Sequence, residues 1–205
     1  MSVQAETGWD RGKRERRKRI LRAARELVRE DPAGFTTQAL ASRAGVSPAT
    51  VFNLVGTREE IWAALGDEVL GGMDFAAHRS AVPLDRARGI VDVVVDAIEE
   101  DPIVVRALIL AWSESGTVIQ QDPTYAFIRA LEEAAEESER PAPALAARLG
   151  ELLSTGLVGG VHQWAAGLVD AAQLRARLHL LVEVLHHAAV TSSTPIQPHH
   201  QEDLP

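Results

Sequence analysis

The chain contains no cysteine among its 205 residues. Disulfides, thiolate metal sites and a cysteine nucleophile are thereby excluded; the absence fits a reducing cytoplasm and is otherwise neutral about compartment. Aromatic residues make up only 4%, with a single tyrosine. No run of about 18 apolar residues occurs, and the polar, basic N-terminus has no apolar stretch of the signal-peptide kind. No segment alternates polar and apolar long enough to form a sheet strand, so the expected class is all-α. Phosphate-cradling glycine loops, paired zinc-protease histidines and nucleophile elbows are missing too, so neither an enzyme nor a cofactor is expected. A soluble, cytoplasmic protein with no membrane partner follows as the expectation.

What is present is an ordinary globular composition, 46% hydrophobic and 24% charged, with an unusual distribution of charge. The net charge is −8, yet residues 1–60 hold 12 Lys and Arg against 8 Asp and Glu, while the remainder holds 9 against 21. Within Arg11 to Arg29 there are 10 basic residues and 2 acidic ones. An electropositive head sits on an acidic body, which suits either a solvated helix face or a polyanionic partner.

The head divides into short helices. In KRERRKRILRAARELVRE, residues Ile20, Ala23, Ala24, Leu27 and Val28 share one helical face, and Asp31-Pro32 with Gly34 ends the helix. Thr36 or Thr37 caps a second helix carrying Leu40, Ala41 and Ala44, and Gly45 permits a sharp turn after it. Ser47 caps a third, with Pro48 at its first position, running only to about Leu54. Gly56 breaks it; Thr57 with Glu60 forms a capping box for a fourth, with Ile61, Leu65, Val69 and Met73 spaced by four. Two short helices joined through a glycine turn are the pattern of a helix-turn-helix, whose second helix enters a DNA major groove.

This head resembles the N-terminal domain of the TetR family of transcriptional regulators. The likeness is carried by Ala24 and Leu27, by TTQALASRAGVS from Thr36 to Ser47, by TVFN from Thr50 to Asn53, and by GTREEI from Gly56 to Ile61. It spans roughly residues 15 to 65. The sequence departs from the family where Phe52 stands for the usual recognition-helix tyrosine, Leu54 for a frequent histidine and Val55 for an aromatic residue. The resemblance implies a three-helix DNA-binding domain followed by a larger helical domain that dimerises and takes up a small effector. On that basis residues 1–56 are a basic N-terminal arm and helix-turn-helix domain, 57–190 an effector-binding and dimerisation domain, and 191–205 a disordered tail.

The rest of the chain gives a compatible pattern. Asp101-Pro102 and Asp122-Pro123 each read as a cap followed by the first helical residue, Pro141 and Pro143 precede another helix, and Asp170 caps the last. PIVVRALILAW, from Pro102 to Trp112, is apolar nearly all round and is expected in the middle of the body. A stripe of Leu145, Leu149, Leu152, Leu153, Leu157, Val161 and Trp164 is interleaved with Gly156, Gly159 and Gly160, which let another helix approach. The final helix has one stripe of Leu174, Leu178, Leu181 and Leu185 and a second of Ala176, Leu180 and Val184, suggesting burial on two sides.

The expected protein is a repressor, a homodimer released from a palindromic double-stranded DNA operator by an unidentified small-molecule effector. An all-α enzyme or dimeric interaction module with a basic face is the alternative. Expected DNA contacts are Thr37, Gln38, Arg43, Ser47, Ala49, Thr50, Phe52, Asn53 and Arg58, with Ala49, Thr50 and Asn53 facing outward and Arg11, Lys13 and Arg14 as an arm on the backbone or minor groove. Phe52 lacks the phenol that could reach phosphate, leaving its ring to pack against the DNA backbone. The expected dimer interface is Leu153, Leu157, Val161, Trp164, Leu178, Leu181 and Leu185. His78, Trp112, Tyr125 and His162 are candidates for an effector pocket, packed core being the other use of such residues. His179, Glu183 and His187 recur every fourth residue and could reach one metal, but such a stripe more often edges a helix interface, and no metal site is expected.

Overall fold

The computed structural model describes residues 8–70, 73, 80, 82–115, 124–137 and 143–191. Among them there are nine α-helices and no strand: α1 (Gly8–Glu30), α2 (Thr37–Ala44), α3 (Pro48–Leu54), α4 (Arg58–Leu70), α5 (Pro83–Glu100), α6 (Pro102–Ser115), α7 (Thr124–Glu136), α8 (Pro143–Ala165) and α9 (Ala171–Thr191). The chain is all-α, and it divides into two compact units. Residues 1–73 and 97–121 form the first, and residues 74–96 and 122–205 the second.

In the first unit α1 is the spine. Its apolar face, Ile20, Ala23, Ala24 and Val28, is buried with Leu27 at the margin, against Leu40, Ala41 and Ala44 of α2, Val51 of α3 and Ile61, Trp62 and Leu65 of α4. Helix α6 completes this core with Val104, Ala107, Leu108 and Trp112. The expectation had α6 in the middle of the body; it packs instead on α1 and α4. A helix apolar on every side carries no directional signal, so its sequence names burial without naming the neighbour. Gly66 of α4 makes this packing possible, because a Cβ there would strike the Trp112 indole.

A buried ion-pair cluster ties α6 to α1. Asp101, 4% exposed, precedes Pro102 where a helix cap was expected, but its carboxylate turns to arginines of α1. Arg25 Nε donates to Oδ2 at 2.6 Å, and Arg29 donates through Nη2 to Oδ2 at 2.8 Å and through Nε to Oδ1 at 3.2 Å. Burial by itself would raise the Asp101 carboxyl. The hydrogen bonds and charges of Arg29 and Arg25 outweigh it and hold the group below its usual range.

In the second unit α7, α8 and α9 pack on one another. Leu131, Ala135, Ala146, Leu149 and Ala189 form a core cluster edged by Leu145, Leu185 and Ala188. Gly150 lets the α7 backbone come close: a Cβ on it would stand 2.6 Å from the Ile128 Cα. The glycines of α8 also admit a helix, but it is the chain's own α9. Gly156 faces Leu181, and Gly160 faces Leu174 and Leu178. By length and composition the stretch Ala144–Ala165 could cross a membrane, yet Leu149, Leu153, Leu157 and Trp164 on it are buried within the chain. Polar pairs join α5 to α9: Arg175 binds Asp92 and Asp96 at 2.7 Å each, and Arg88 binds Glu183 at 2.5 Å.

The Asp101 cluster makes an acid-sensitive contribution to stability. Its folded-state pKa lies below the unfolded value of about 3.9, so on acidification the unfolded chain takes up the proton first. The contribution is complete above that value and is lost as pH falls through the lower folded-state value. Asp101→Asn is expected to cost about 1–2 kcal/mol at pH 7, the arginines being partly solvated, and the gap to wild type is expected to close on acidification. Urea unfolding of both proteins across the acidic range checks this; a constant gap would remove the charge from the explanation.

Candidate nucleic-acid interface

Helix α2 is capped by Thr36, which is extended and accepts a 3.1 Å hydrogen bond from Ala39 N–H. It ends at Gly45, whose φ of 64° lets its N–H and that of Val46 return to the carbonyls of Ser42 and Ala41. Only a residue comfortable at positive φ makes this reversal cheaply. Two residues later Ser47 caps α3, its Oγ accepting from Thr50 N–H at 3.1 Å, with Pro48 occupying the first turn. The exit is fixed by Gly56, with φ of 113°, and by the reciprocal capping box: Thr57 N–H to Glu60 Oε2 at 2.7 Å and Glu60 N–H to Thr57 Oγ1 at 3.3 Å. The caps, the turn and the two-turn length match expectation.

Within α3 only Val51 is buried. At 100° per residue this turns Ala49, Phe52 and Asn53 outward, and all three are exposed. Thr50, expected on this face, is half-buried, and its hydroxyl lies 2.9 Å from Ser47 Oγ. It completes the cap, and Phe52 takes its place on the outer face. Val46 is half-buried against the core as expected. Thr37, Gln38 and Ser47 are exposed.

The two arginines of the set are occupied. Arg43 forms a two-pronged pair with Glu30, both bonds at 2.8 Å, and lies 3.8 Å from Glu26. This pairing lowers the Glu30 carboxyl below its usual range. Arg58 donates to the Phe35 carbonyl, and its guanidinium lies 5.6 Å from the Phe35 ring centroid. It pins the start of α4 to the loop before α2. Arg17, which the sequence reading did not single out, donates to the Leu54 carbonyl at 3.1 Å and holds the end of α3 to α1. Nothing in an arginine-rich run marks which arginine will turn inward.

The outer side of α1 is cationic. Lys18, Arg19, Arg22, Arg25 and Arg29 line an open groove of about 800 Å³. Glu15, Glu26 and Glu68 are the acidic residues in its walls.

Elsewhere the structure separates the expected groups. Of the effector candidates, His78 and the Tyr125 side chain lie outside the described residues. Trp112 is packed in the core of the first unit. His162 is on the surface of the second, its Nδ1 2.8 Å from the Val158 carbonyl. The histidine stripe of α9 is divided among other partners: His179 Nε2 lies 3.0 Å from Asp92, and Glu183 pairs with Arg88. Among the described residues, no three His, Asp or Glu side chains gather around one metal position.

The expected interface residues Leu153, Leu157, Trp164 and Leu178 are no more than 4% exposed. They form this chain's own core, and Leu181 and Leu185 are half-buried beside them. The exposed large apolar residues of the same helices are Leu152 and Val158 on α8 and Leu180 and Val184 on α9. Both stripes of α9 exist; the sequence pattern could not say which of them faces inward.

No family model matches the chain, and no curated protein resembles it significantly in sequence. Among solved structures it resembles a TetR transcriptional regulator from Rhodococcus sp. RHA1, at 20% identity and a TM-score of 0.58, over 84% of this chain and 95% of that one. It also resembles a HlyIIR mutant protein carrying a linker with two thrombin sites, at 16% identity and a TM-score of 0.50, over 80% and 97% of the two chains. The fold is therefore that of solved TetR regulators.

The geometry of Arg58 predicts a structural effect. Arg58→Ala is expected to remove about 1 kcal/mol of stability, from the lost carbonyl and ring contacts, while leaving the salt dependence of any polyanion binding unchanged. Arg58→Lys is expected to recover little, since an ammonium reproduces neither the fork nor the stacking. Thermal melting read with salt-dependent binding checks both; a flattened salt slope would assign Arg58 to phosphate instead.

Proposed function

We propose that the protein is a sequence-specific DNA-binding transcriptional regulator acting in the cytoplasm, a homodimer that represses from a palindromic operator and leaves it when a small effector binds the second unit. The observation that carries this reading is α3: a two-turn helix, capped at its start and tied at its end by Arg17, held by one buried side chain and offering its outer face to the surroundings. Such a helix adds little to a core but fits a major groove. The cationic face of α1, in a chain of net charge −8, supplies phosphate attraction, and the fold shared with a TetR regulator agrees with it.

In this reading the bases are met by Ala49, Phe52 and Asn53, with Asn53 paired to adenine through its amide. Thr37, Gln38 and Ser47 position the head on phosphate or an adjacent base. Arg43 would have to leave Glu30 to join them. Thr50 acts through the Ser47 cap.

One recognition helix of this length reads only a few base pairs, so two heads must be held at a set spacing. The surface suited to that is the outward face of α8 and α9, with Leu152, Val158, Leu180 and Val184 exposed and Gly159 leaving room beside them. This shifts the interface from the buried stripe to the neighbouring one. An effector that binds better when the heads are misplaced releases DNA by linkage.

Three measurements test the proposal. Gel shift with the protein's own upstream DNA, in roughly 50 and 200 mM salt, is expected to give a complex that weakens steeply with salt; its absence would favour the interaction-module or enzyme reading. Asn53→Ala is expected to lose about 1–3 kcal/mol at one base position per half-site and to keep non-specific binding; equal loss on every duplex would refute the assignment. Leu180→Glu with Val184→Glu is expected to sediment as a monomer and to bind operator poorly. A monomeric wild type, or a variant that still dimerises, would place the interface elsewhere.

A further inference from the structure

Single apolar residues on a surface are ordinary, so the 62% exposure of Phe52 decides nothing alone. Its setting does. The other aromatic side chains among the described residues, Phe35, Trp62, Trp112, Phe127 and Trp164, are all buried. Phe52 is therefore the exposed exception among the described aromatic side chains, and it stands on the helix whose outer face meets the bases in the proposed function, on which this inference rests.

The second observation is what α3 lacks. From Pro48 to Leu54 the helix carries no charged residue. Guanine shows two acceptors in the major groove and is read by arginine or lysine; cytosine shows an amino donor and is read by a carboxylate. Neither type is available here. The outward face holds a methyl group at Ala49, a phenyl ring at Phe52 one turn later and an amide at Asn53 beside it. In the major groove the matching partners are the 5-methyl group of thymine, for the apolar pair, and the N6 and N7 edge of adenine, for the amide.

We propose that Phe52 is a specificity-determining residue that reads the 5-methyl group of a pyrimidine in the major groove, so that each half-site must present a thymine or a cytosine methylated at C5. The phenyl ring buries the methyl group and is itself covered by it. A phosphate contact would need a donor, which the ring does not have. Methyl recognition also gives the exposed ring a covered state that only the correct duplex provides, so its burial discriminates between sequences.

The test begins with duplexes enriched by the wild-type protein from a random pool. Replacing each thymine in turn by deoxyuridine removes a methyl group and nothing else. The expected result is one thymine per half-site whose replacement weakens binding about fourfold, and about fifteenfold when both half-sites are changed, the equivalent of one buried methyl group each. Phe52→Ala is expected to bind the thymine duplex more weakly and to be indifferent to deoxyuridine at that position; being exposed, the side chain is removed without loss of thermal stability. At the same position a cytosine pair is expected to regain about fourfold on C5 methylation with wild type and nothing with Phe52→Ala. Enriched duplexes whose thymines all tolerate deoxyuridine, or an equal deoxyuridine penalty in Phe52→Ala, overturn the methyl assignment alone. A pool with no enriched duplex overturns the DNA-binding reading and this inference with it.

Discussion

Val51 is the single buried side chain of the helix on which every functional reading rests. Seven residues are too few to hold a helix in water by backbone hydrogen bonding, because the cost of nucleation is not recovered in two turns. Helix α3 is therefore a product of its surroundings. Val51 sits in a core shared by four other helices, Ser47 satisfies the first turn, and Arg17 takes the Leu54 carbonyl that the helix leaves open at its end. Because so little of α3 points inward, the remainder is free to be shaped by what it touches.

The same economy governs the arginines. A basic run looks from the sequence like one electropositive surface, but its members have different tasks. Arg25 and Arg29 hold Asp101, Arg17 holds α3, and the cations left at the groove wall include Arg19 and Arg22. Two guanidiniums that share one buried carboxylate leave a single positive charge, so the cluster attracts at long range with half the charge its arginines carry. The field that would draw in a polyanion comes from that excess charge together with the uncommitted members, and its strength is less than a count of arginines suggests.

How far the sequence reveals the molecule depends on whether a signal is local. Caps, turns and helix ends are local, so Ser47, Gly45, Gly56 and the Thr57–Glu60 box could be located from residue types alone. Asp170 is another case, its carboxylate accepting from Gln173 N–H at 2.7 Å. Partner choice is not local. The α9 pattern shows two apolar stripes, and only the presence of α8 decides that Leu174 and Leu178 turn inward while Leu180 and Val184 stay out. Asp101 shows the competition directly: its position before Pro102 marks a helix cap, yet two arginines some 70 residues earlier in the chain claim both oxygens. A charge-assisted bond in a buried place outweighs a solvated cap, and nothing within a few residues of Asp101 announces it.

That competition carries a structural consequence. The chain passes between its two units within α5, whose last turn from Ala97 belongs to the first unit. Asp101 follows that helix directly and is fastened to α1, the helix against which α2 and α3 pack. A displacement of the end of α5 would therefore have to carry α1 with it or break bonds to a carboxylate that is nearly fully buried. Breaking them is costly because the charge would be left without compensation, so the start of α6 and helix α1 are held together within the first unit. Within that unit one aspartate and two arginines add a directional tie to packing that is otherwise apolar.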